Sequence, residues 1–243
     1  LELVGIRGSD LLITHDKLHA EFIMAEMNLP HLNYLTIPGG TPGLARKKKS
    51  KFLHSRLKID PQRKIILHSG GFGKWFDSAE LAKRSGTLPV DFDLVFHISH
   101  DISSDAYYLN YLKTRQSVDR SMFSLIPVSS DKLDHLVSSA RIGVAWYSVD
   151  VLGYRAVKMG LAAGKIGNYL KCGIPVIVPN FDSLIYISDF GCGKQVCSLD
   201  DIPDAIDAIE NDYDTFSNNA IRCYNELWNT EIYCEALVKE LSQ

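Results

Sequence analysis

The strongest constraint on the fold is an alternation of short apolar runs with helical patterns through residues 64–197. Six of the runs are predicted strands, at residues 65–68, 93–98, 122–126, 142–147, 175–178 and 194–197. Strands joined by short connections and helices in this way form a parallel sheet with helices on both faces. The sequence therefore predicts an α/β fold with a doubly wound, Rossmann-like parallel sheet.

The first 40 residues predict only a β-α-β piece, with strands at 11–14 and 34–37 and a helix over 16–27. A basic stretch with turn residues follows, between Arg46 and Lys51, and it is typical of a loop or linker. We predict three units. Residues 1–45 are the tail of another α/β domain and a linker, residues 46–225 are the Rossmann-like domain, and residues 226–243 are a C-terminal helix. The chain begins at Leu1 without an initiator Met, so we expect a piece of a longer protein.

Composition excludes several classes of protein. The net charge of −3 argues against a nucleic-acid binder, which usually has a basic excess. No apolar run reaches the roughly 18 residues that span a bilayer, and the charged residues among the first ten argue against a signal peptide. The five cysteines are odd in number and have no two-residue spacing, which favours reduced thiols in a cytoplasmic protein over a zinc or redox site.

Two loops after predicted strands are candidates for a phosphate site, because ligands of open parallel sheets bind at the carboxyl ends of the strands. The first is Ser-Gly-Gly-Phe-Gly-Lys-Trp at residues 69–75, where Gly70 and Gly71 would expose backbone N–H groups and Lys74 would add charge. The second begins a helix at Gly164 and Lys165, with Asn168 about one turn later. A plain turn and solvated polar side chains are the alternatives in each case.

The second loop also resembles a known family. The pattern Lys-x-x-Asn-Tyr-Leu-x-x-Gly-x-Pro-Val-Ile at residues 165–177 is similar to the donor-site segment of GT-B glycosyltransferases of the family 4 and group 1 type. That segment commonly has the pattern Lys-x-x-Glu-Tyr-Leu-Ala-x-Gly-x-Pro-Val-Ile. The similarity extends over residues 60–240, the C-terminal domain of such enzymes, and residues 1–40 resemble the end of their N-terminal, acceptor-binding domain.

The resemblance implies transfer of a sugar from a UDP- or GDP-linked donor to a saccharide or lipid-linked acceptor, with retention of configuration, in polysaccharide or glycoconjugate synthesis. It implies a cytoplasmic hexosyltransferase, without a metal or other cofactor, that acts at the inner face of the membrane. Lys165 would be the catalytic residue that stabilises the leaving diphosphate. The implied contacts with the nucleotide sugar are Gly70, Gly71, Lys74, Pro127, Val128, Tyr147, Ser148, Gly164, Asn168 and Tyr169.

The sequence departs from the family at two pairs of positions. Many members have two glutamates eight residues apart, where this chain has Gly160 and Asn168. The family's Arg and Lys after the first strand align with Gly71 and Phe76. Two other functions therefore stay open: a GT-B sugar-nucleotide epimerase, and a GT-B-like module without catalysis.

Two further features have alternative explanations. The cluster of His97, His100 and Asp101 is typical of metal or acid–base chemistry, although loop histidines without such a role are commoner. The basic run from Arg46 to Lys51 is a candidate for contact with anionic lipid, against the alternative of a solvated linker.

Overall fold

A computed structural model describes residue 6 and residues 8–29, 31–40 and 42–242. The strands in this part of the chain are β1 (Leu11–Thr14), β2 (Asn33–Thr36), β3 (Lys64–Gly70), β4 (Phe92–Ile98), β5 (Met122–Ser124), β6 (Ile142–Val144), β7 (Val176–Pro179) and β8 (Gly193–Val196). The α-helices are α1 (Lys17–Met27), α2 (Phe52–Leu57), α3 (Ser78–Lys83), α4 (Ala106–Thr114), α5 (Ser130–Val137), α6 (Val149–Leu152), α7 (Tyr154–Val157), α8 (Gly164–Lys171), α9 (Tyr186–Phe190), α10 (Ile202–Glu210), α11 (Tyr213–Cys223) and α12 (Thr230–Leu241). A π-helical turn, Tyr224–Trp228, follows α11.

Strands β3 to β8 form one six-stranded sheet in the order β5-β4-β3-β6-β7-β8, and each neighbouring pair is parallel. Side chains alternate across it: Ile65 and Leu67 enter a core on one face, and Ile66 enters a second core on the other. The predicted doubly wound sheet is confirmed, since both faces are covered by hydrophobic clusters.

The order of this sheet reverses between β3 and β6. From β3 the chain continues outward through β4 and β5, and it then returns to place β6 on the other side of β3. The helices after the two halves diverge at such a point, so a crevice opens at the carboxyl ends of the strands. The fold thus places the end of β3 at the position where open sheets bind their ligands.

The N-terminal unit consists of a two-stranded parallel sheet, β1 and β2, joined by α1. Asp16 caps the helix by accepting a hydrogen bond from the His19 N–H at 2.8 Å. The predicted β-α-β piece is confirmed. The domain boundaries at residues 45 and 225 stay predictions.

Several local features add to the predicted elements. Helices α6 and α7 have four residues each, too short for a helical period to appear in the sequence. Ser129, in an extended conformation, precedes α5, and Ser130 is already helical. Gly173 ends the turn after α8, with φ at +67°.

Candidate functional site

A cleft of about 390 Å³ lies at the carboxyl end of β3, at the switch point of the sheet. It is formed by the ends of β3 and β4, the start of α8, the start of α5 and the chain after β2. The lining residues are Gly39, Gly40, Ser69, Gly70, His97, Ser99, Val128, Leu133, Gly164, Lys165 and Asn168. The structure therefore brings together five of the residues predicted to bind the donor: Gly70, Val128, Gly164, Lys165 and Asn168.

Gly70 is the residue at which β3 turns into the cleft. Its φ of +131° is a conformation that residues with a side chain rarely adopt, and a Cβ there would lie 3.6 Å from Lys165 Nζ. The glycine therefore leaves the end of β3 bare beside the lysine. A bare backbone beside a cation is one arrangement that favours a bound phosphate group.

Lys165 occupies the first turn of α8, and its side chain lies partly buried beneath the cleft. The ammonium is 3.8 Å from the ring centroid of Phe76, 5.5 Å from that of Tyr147 and 3.3 Å from Nε2 of His68. Burial lowers the pKa of Lys165 to about 7. Within the described residues no carboxylate forms an ion pair with this lysine, so its position suits an incoming anion.

His68 is fully buried beneath the cleft. Burial first, and then the charge of Lys165, hold its pKa well below the ordinary value, so the imidazole is neutral. Its Nε2 lies 3.3 Å from Lys165 Nζ and 3.3 Å from the Gly71 carbonyl oxygen. Sequence analysis did not identify His68, although its position on the predicted strand just before the Gly-rich turn was the available indication.

The predicted contact of Tyr169 with a nucleotide sugar needs correction. The ring is fully buried, and the hydroxyl donates to the Leu67 carbonyl at 2.8 Å and accepts from the Ser69 N–H at 2.8 Å. A Cβ on Gly143 would lie 2.5 Å from this ring, so the glycine in β6 makes room for it. Tyr169 therefore acts on the cleft through the end of β3, which it fixes to α8.

The start of α8 is in close contact with the chain that follows β2. A Cβ on Gly164 would lie 2.1 Å from the Gly39 carbonyl oxygen, and the Gly39 N–H donates to Leu161 O at 2.8 Å. Trp228, which is fully buried, packs against Gly40 and Gly167 from the other side. The Gly39-Gly40 pair is thus a wall of the cleft.

Asp16 of the N-terminal unit contacts the loop before α8. Its Oδ2 accepts a hydrogen bond from the Leu161 N–H at 2.8 Å, and a Cβ on Gly160 would lie 2.2 Å from the same oxygen. Burial alone favours the neutral carboxyl, but the bonds from His19 and Leu161 hold the pKa of Asp16 below its usual value. The glutamate that the family often has at position 160 has no room here, because this carboxylate fills the space.

The other predicted contacts lie outside the cleft. Gly71 faces the ring of Phe76, and Lys74 is exposed on the 3-10 turn Lys74–Phe76. Pro127 lines a neighbouring hollow of about 750 Å³, next to Val128.

A further hollow of about 330 Å³, beside the ends of β6 and β7, is lined by Tyr147 and Ser148. Of these two residues, Tyr147 still has its ring near the Lys165 ammonium. Ser148 lines this hollow together with Asn180 and Phe181.

The three residues of the candidate metal cluster have different partners. His97 lines the cleft, 3.1 Å from Ser124 Oγ, and burial together with the charge of Arg56 lowers its pKa to about 4. His100 is exposed, and Asp101 accepts a bond from the Ser103 N–H. The described part of the chain contains no group of three or more His, Cys, Asp or Glu placed to hold a metal ion.

Another hollow, of about 510 Å³, lies at the opposite, amino end of the sheet and is lined in part by Lys47, Lys48, Lys49 and Lys51. We place the site at the carboxyl end, because ligands of open parallel sheets bind there. Among the described helices, none is both long enough and apolar enough to cross a bilayer.

Comparisons with known proteins support the fold described above. A family model described as glucosyltransferase 3-like, C-terminal domain, matches residues 127–240. No curated protein matches the chain in sequence.

Among solved structures, HepE from Anabaena, in complex with UDP and glucose, is similar with a TM-score of 0.73 at 12% identity, over 99% of this chain and 65% of that one. Sucrose-phosphate synthase from Thermosynechococcus elongatus is similar with a TM-score of 0.69 at 17% identity, over 100% of this chain and 60% of that one. The C-terminal domain of LpcC, a group 1 family glycosyl transferase from Francisella tularensis, has a TM-score of 0.55 at 14% identity, over 77% of this chain and 95% of that domain.

This chain thus spans less than two thirds of the length of HepE and of sucrose-phosphate synthase. Likeness at such low identity establishes the fold alone. The chain therefore has the fold of GT-B glycosyltransferases, and its residues 127–240 match the model of the glucosyltransferase 3-like, C-terminal domain.

Proposed function

We propose that the chain binds a nucleotide-diphosphate sugar in the cleft at the end of β3 and is the donor half of a glycosyltransferase. The observation that supports this most is the meeting of Gly70, Lys165 and Asn168 at the switch point of the sheet. HepE, a protein of similar fold, has been solved in complex with UDP-glucose. A uracil nucleotide with glucose is therefore the first donor to test, and GDP-linked sugars are the second.

In the proposed reaction the bond between the anomeric carbon and the diphosphate breaks, and the oxygen of the acceptor hydroxyl forms the new bond to that carbon. The proton of that hydroxyl passes to the departing diphosphate or to water. The leaving diphosphate gains negative charge. The Lys165 ammonium and the bare backbone at Gly70 would stabilise that charge in the transition state. Asn168 would hydrogen-bond the ribose, and no metal or other cofactor is needed for these steps.

Donor binding is tested by calorimetric titration with UDP-glucose, GDP-glucose, UDP, GDP and uridine. We expect Lys165→Met to weaken binding of the diphosphates at least tenfold and to leave uridine binding nearly unchanged. Lys113→Met is the matched control, since Lys113 is exposed on α4, away from the cleft. Equal losses for UDP and uridine would refute the phosphate role of Lys165.

The finer properties of the reaction are also proposals. Hexosyl transfer with retention is tested by NMR of the anomeric proton in the product of a turnover assay with saccharide and lipid-linked acceptors. Epimer formation, or release of free UDP without an acceptor, would instead indicate a sugar-nucleotide epimerase. Failure to bind any nucleotide would indicate a module without catalysis.

A cytoplasmic location at the inner membrane face is proposed from the exposed basic segment Arg46, Lys47, Lys48, Lys49 and Lys51. We expect salt-sensitive sedimentation with phosphatidylglycerol vesicles and none with phosphatidylcholine vesicles. Charge reversal of Lys47, Lys48 and Lys49 together should abolish it. Sedimentation that these changes leave unaltered would refute this contact.

A further inference from the structure

The contacts of His68 beneath the cleft are mutually exclusive. Its Nε2 lies 3.3 Å from both the Gly71 carbonyl oxygen and Lys165 Nζ, and its buried Nδ1 has no hydrogen-bond partner among the described residues. A protonated Nε2 can donate to Gly71 but cannot accept from an ammonium, whereas a bare Nε2 can accept from Lys165 only. An ammonium on Lys165 therefore requires a bare Nε2 on His68, whereas a neutral Lys165 amine is compatible with either tautomer.

We propose that Lys165 and His68 form one proton-sharing unit, and that binding of the donor's diphosphate draws one proton from water onto Lys165. This inference rests on the proposed donor binding. In the step, the lone pair of the neutral Lys165 amine takes up a solvent proton. A His68 ring that carries its proton on Nε2 releases it to water and gains one on Nδ1, so that a bare Nε2 faces the ammonium and the net uptake is one proton. His68 is thus a positioning residue, because it acts on the donor through Lys165.

The surroundings favour such a unit. Burial lowers the pKa of Lys165 to about 7, so the free cleft contains a mixture of amine and ammonium at neutral pH. The rings next to Lys165 belong to Phe76 and Tyr147 and supply no counter-charge. A diphosphate brings that counter-charge, and an opposite charge at this distance favours the protonated form.

Three other titratable side chains at or near the cleft, those of Tyr147, Tyr169 and His97, stay neutral near pH 7. Burial raises the pKa of Tyr147 and that of Tyr169 above the ordinary value, so both hydroxyls stay neutral. His97, across the cleft on β4, has a pKa of about 4, from burial and the charge of Arg56, and is also neutral. The residues that line the cleft include no carboxylate. Proton uptake near pH 7 is therefore assigned to Lys165, and His68 accepts a hydrogen bond from the ammonium without changing its charge.

The expected result is a coupling between donor affinity and pH. Proton uptake should rise from about 0.1 per bound donor at pH 6 to about 0.9 at pH 8, as the free amine fraction rises. The affinity for the donor should fall about tenfold for each pH unit above 7, because the tight-binding ammonium becomes scarce.

The experiment is calorimetric titration of the whole chain with UDP-glucose in two buffers of different ionisation enthalpy, at pH 6, 7 and 8. Both phosphates of UDP-glucose stay ionised throughout, so the buffer-dependent heat measures proton uptake by the protein. Lys165→Arg keeps a cation at every pH and should reduce both the uptake and the pH dependence to near zero. His68→Asn places an amide oxygen that accepts from the ammonium, and it should lower the uptake without removing binding.

Two outcomes separate the inference from the function it rests on. UDP-glucose binding with no proton uptake at pH 8, or with equal uptake in Lys165→Arg, overturns the inference and leaves the donor site intact.

NMR of ¹³C-labelled lysine ε-carbons in the free chain tests the proton site directly. A signal that titrates near pH 7 and is absent in Lys165→Arg supports it, and ordinary titration of Lys165 overturns it. The same titration near pH 7 without binding of any nucleotide sugar overturns the donor function instead.

Discussion

Replacing Tyr169 by phenylalanine removes one oxygen atom from the buried junction between β3 and α8. That oxygen donates to Leu67 O and accepts from the Ser69 N–H, both at 2.8 Å. The ring itself keeps its place against Gly143, because phenylalanine has the same shape. The substitution thus isolates the two hydrogen bonds from the packing.

The expected loss of stability follows from the two groups that lose a hydrogen bond, the Leu67 carbonyl and the Ser69 N–H. Leaving a buried N–H without an acceptor costs about 1–3 kcal/mol, and losing one donor to a carbonyl costs about 1 kcal/mol. Ser69 is only partly buried, so water from the cleft replaces some of its loss. We therefore expect the Tyr169→Phe variant to lose about 2 kcal/mol of unfolding free energy, which corresponds to a melting temperature lower by about 4–8 °C.

The assay is urea denaturation followed by circular dichroism, together with calorimetric titration of UDP-glucose. Tyr154→Phe is the control, since Tyr154 is 57% exposed and the change should leave stability within about 0.5 kcal/mol. We also expect several-fold weaker binding by Tyr169→Phe, because the end of β3 beside Lys165 loosens. A Tyr169→Phe chain as stable as the Tyr154→Phe control would refute the view that this hydroxyl holds the end of β3.

Two further changes test other contacts. Gly164→Ala places a Cβ 2.1 Å from the Gly39 carbonyl oxygen. We therefore expect the free energy of unfolding, measured by urea denaturation, to fall by about 1–3 kcal/mol and UDP-glucose to bind more weakly. Unchanged binding would contradict the role of Gly39 as a wall of the cleft. Glu210 bonds Lys64 at 2.7 Å and Arg141 at 2.6 Å; burial opposes its charge, but these bonds hold its pKa below the ordinary value. A carboxyl whose pKa is lower in the folded than in the unfolded chain stabilises the fold at pH values above its unfolded pKa, and this stabilisation is lost as the pH falls through the folded pKa. Glu210→Gln should therefore lower the free energy of unfolding by about 2 kcal/mol at pH 7 and by much less at pH 3. An equal loss at both pH values would refute the pairing.

The strands of the large sheet could be predicted because buried parallel strands appear in the sequence as short apolar runs. Residues 93–98 show this clearly, since β4 is buried along its whole length, Phe92–Ile98. The position of the cleft could also be predicted, because the carboxyl end of β3 and the start of α8 are both marked by glycine and lysine. Such patterns indicate the type of each local element and the order of the elements along the chain.

The contacts across the chain could not be predicted, because nothing in a local pattern specifies which loops meet. Asp16 and Leu161 are 145 residues apart, and His68 and Lys165 are 97 apart. These pairs form only when the N-terminal unit and the sheet have packed. Their residues appear in the sequence as a helix cap, a small loop and a strand end.

Tyr169 is different, because the spacing of apolar residues in the sequence already indicated that its side chain is buried. Ile166, Tyr169 and Leu170 have the spacing i, i+3 and i+4, and all three are fully buried. Lys165 and Asn168 both line the cleft. Helical periodicity within α8 thus separates a core face from a face that lines the cleft, and Tyr169 lies on the core face.

The two units of the chain meet at the edge of the cleft itself. The Gly39 N–H donates to Leu161 O, and Asp16 accepts from the Leu161 N–H, each at 2.8 Å. Leu161 lies three residues before Gly164, where α8 begins. A rotation of the N-terminal unit that breaks these two bonds must therefore also shift the wall that faces Lys165. The arrangement couples the position of the N-terminal unit to the shape of the cleft, so loss of either bond should change donor affinity as well as stability.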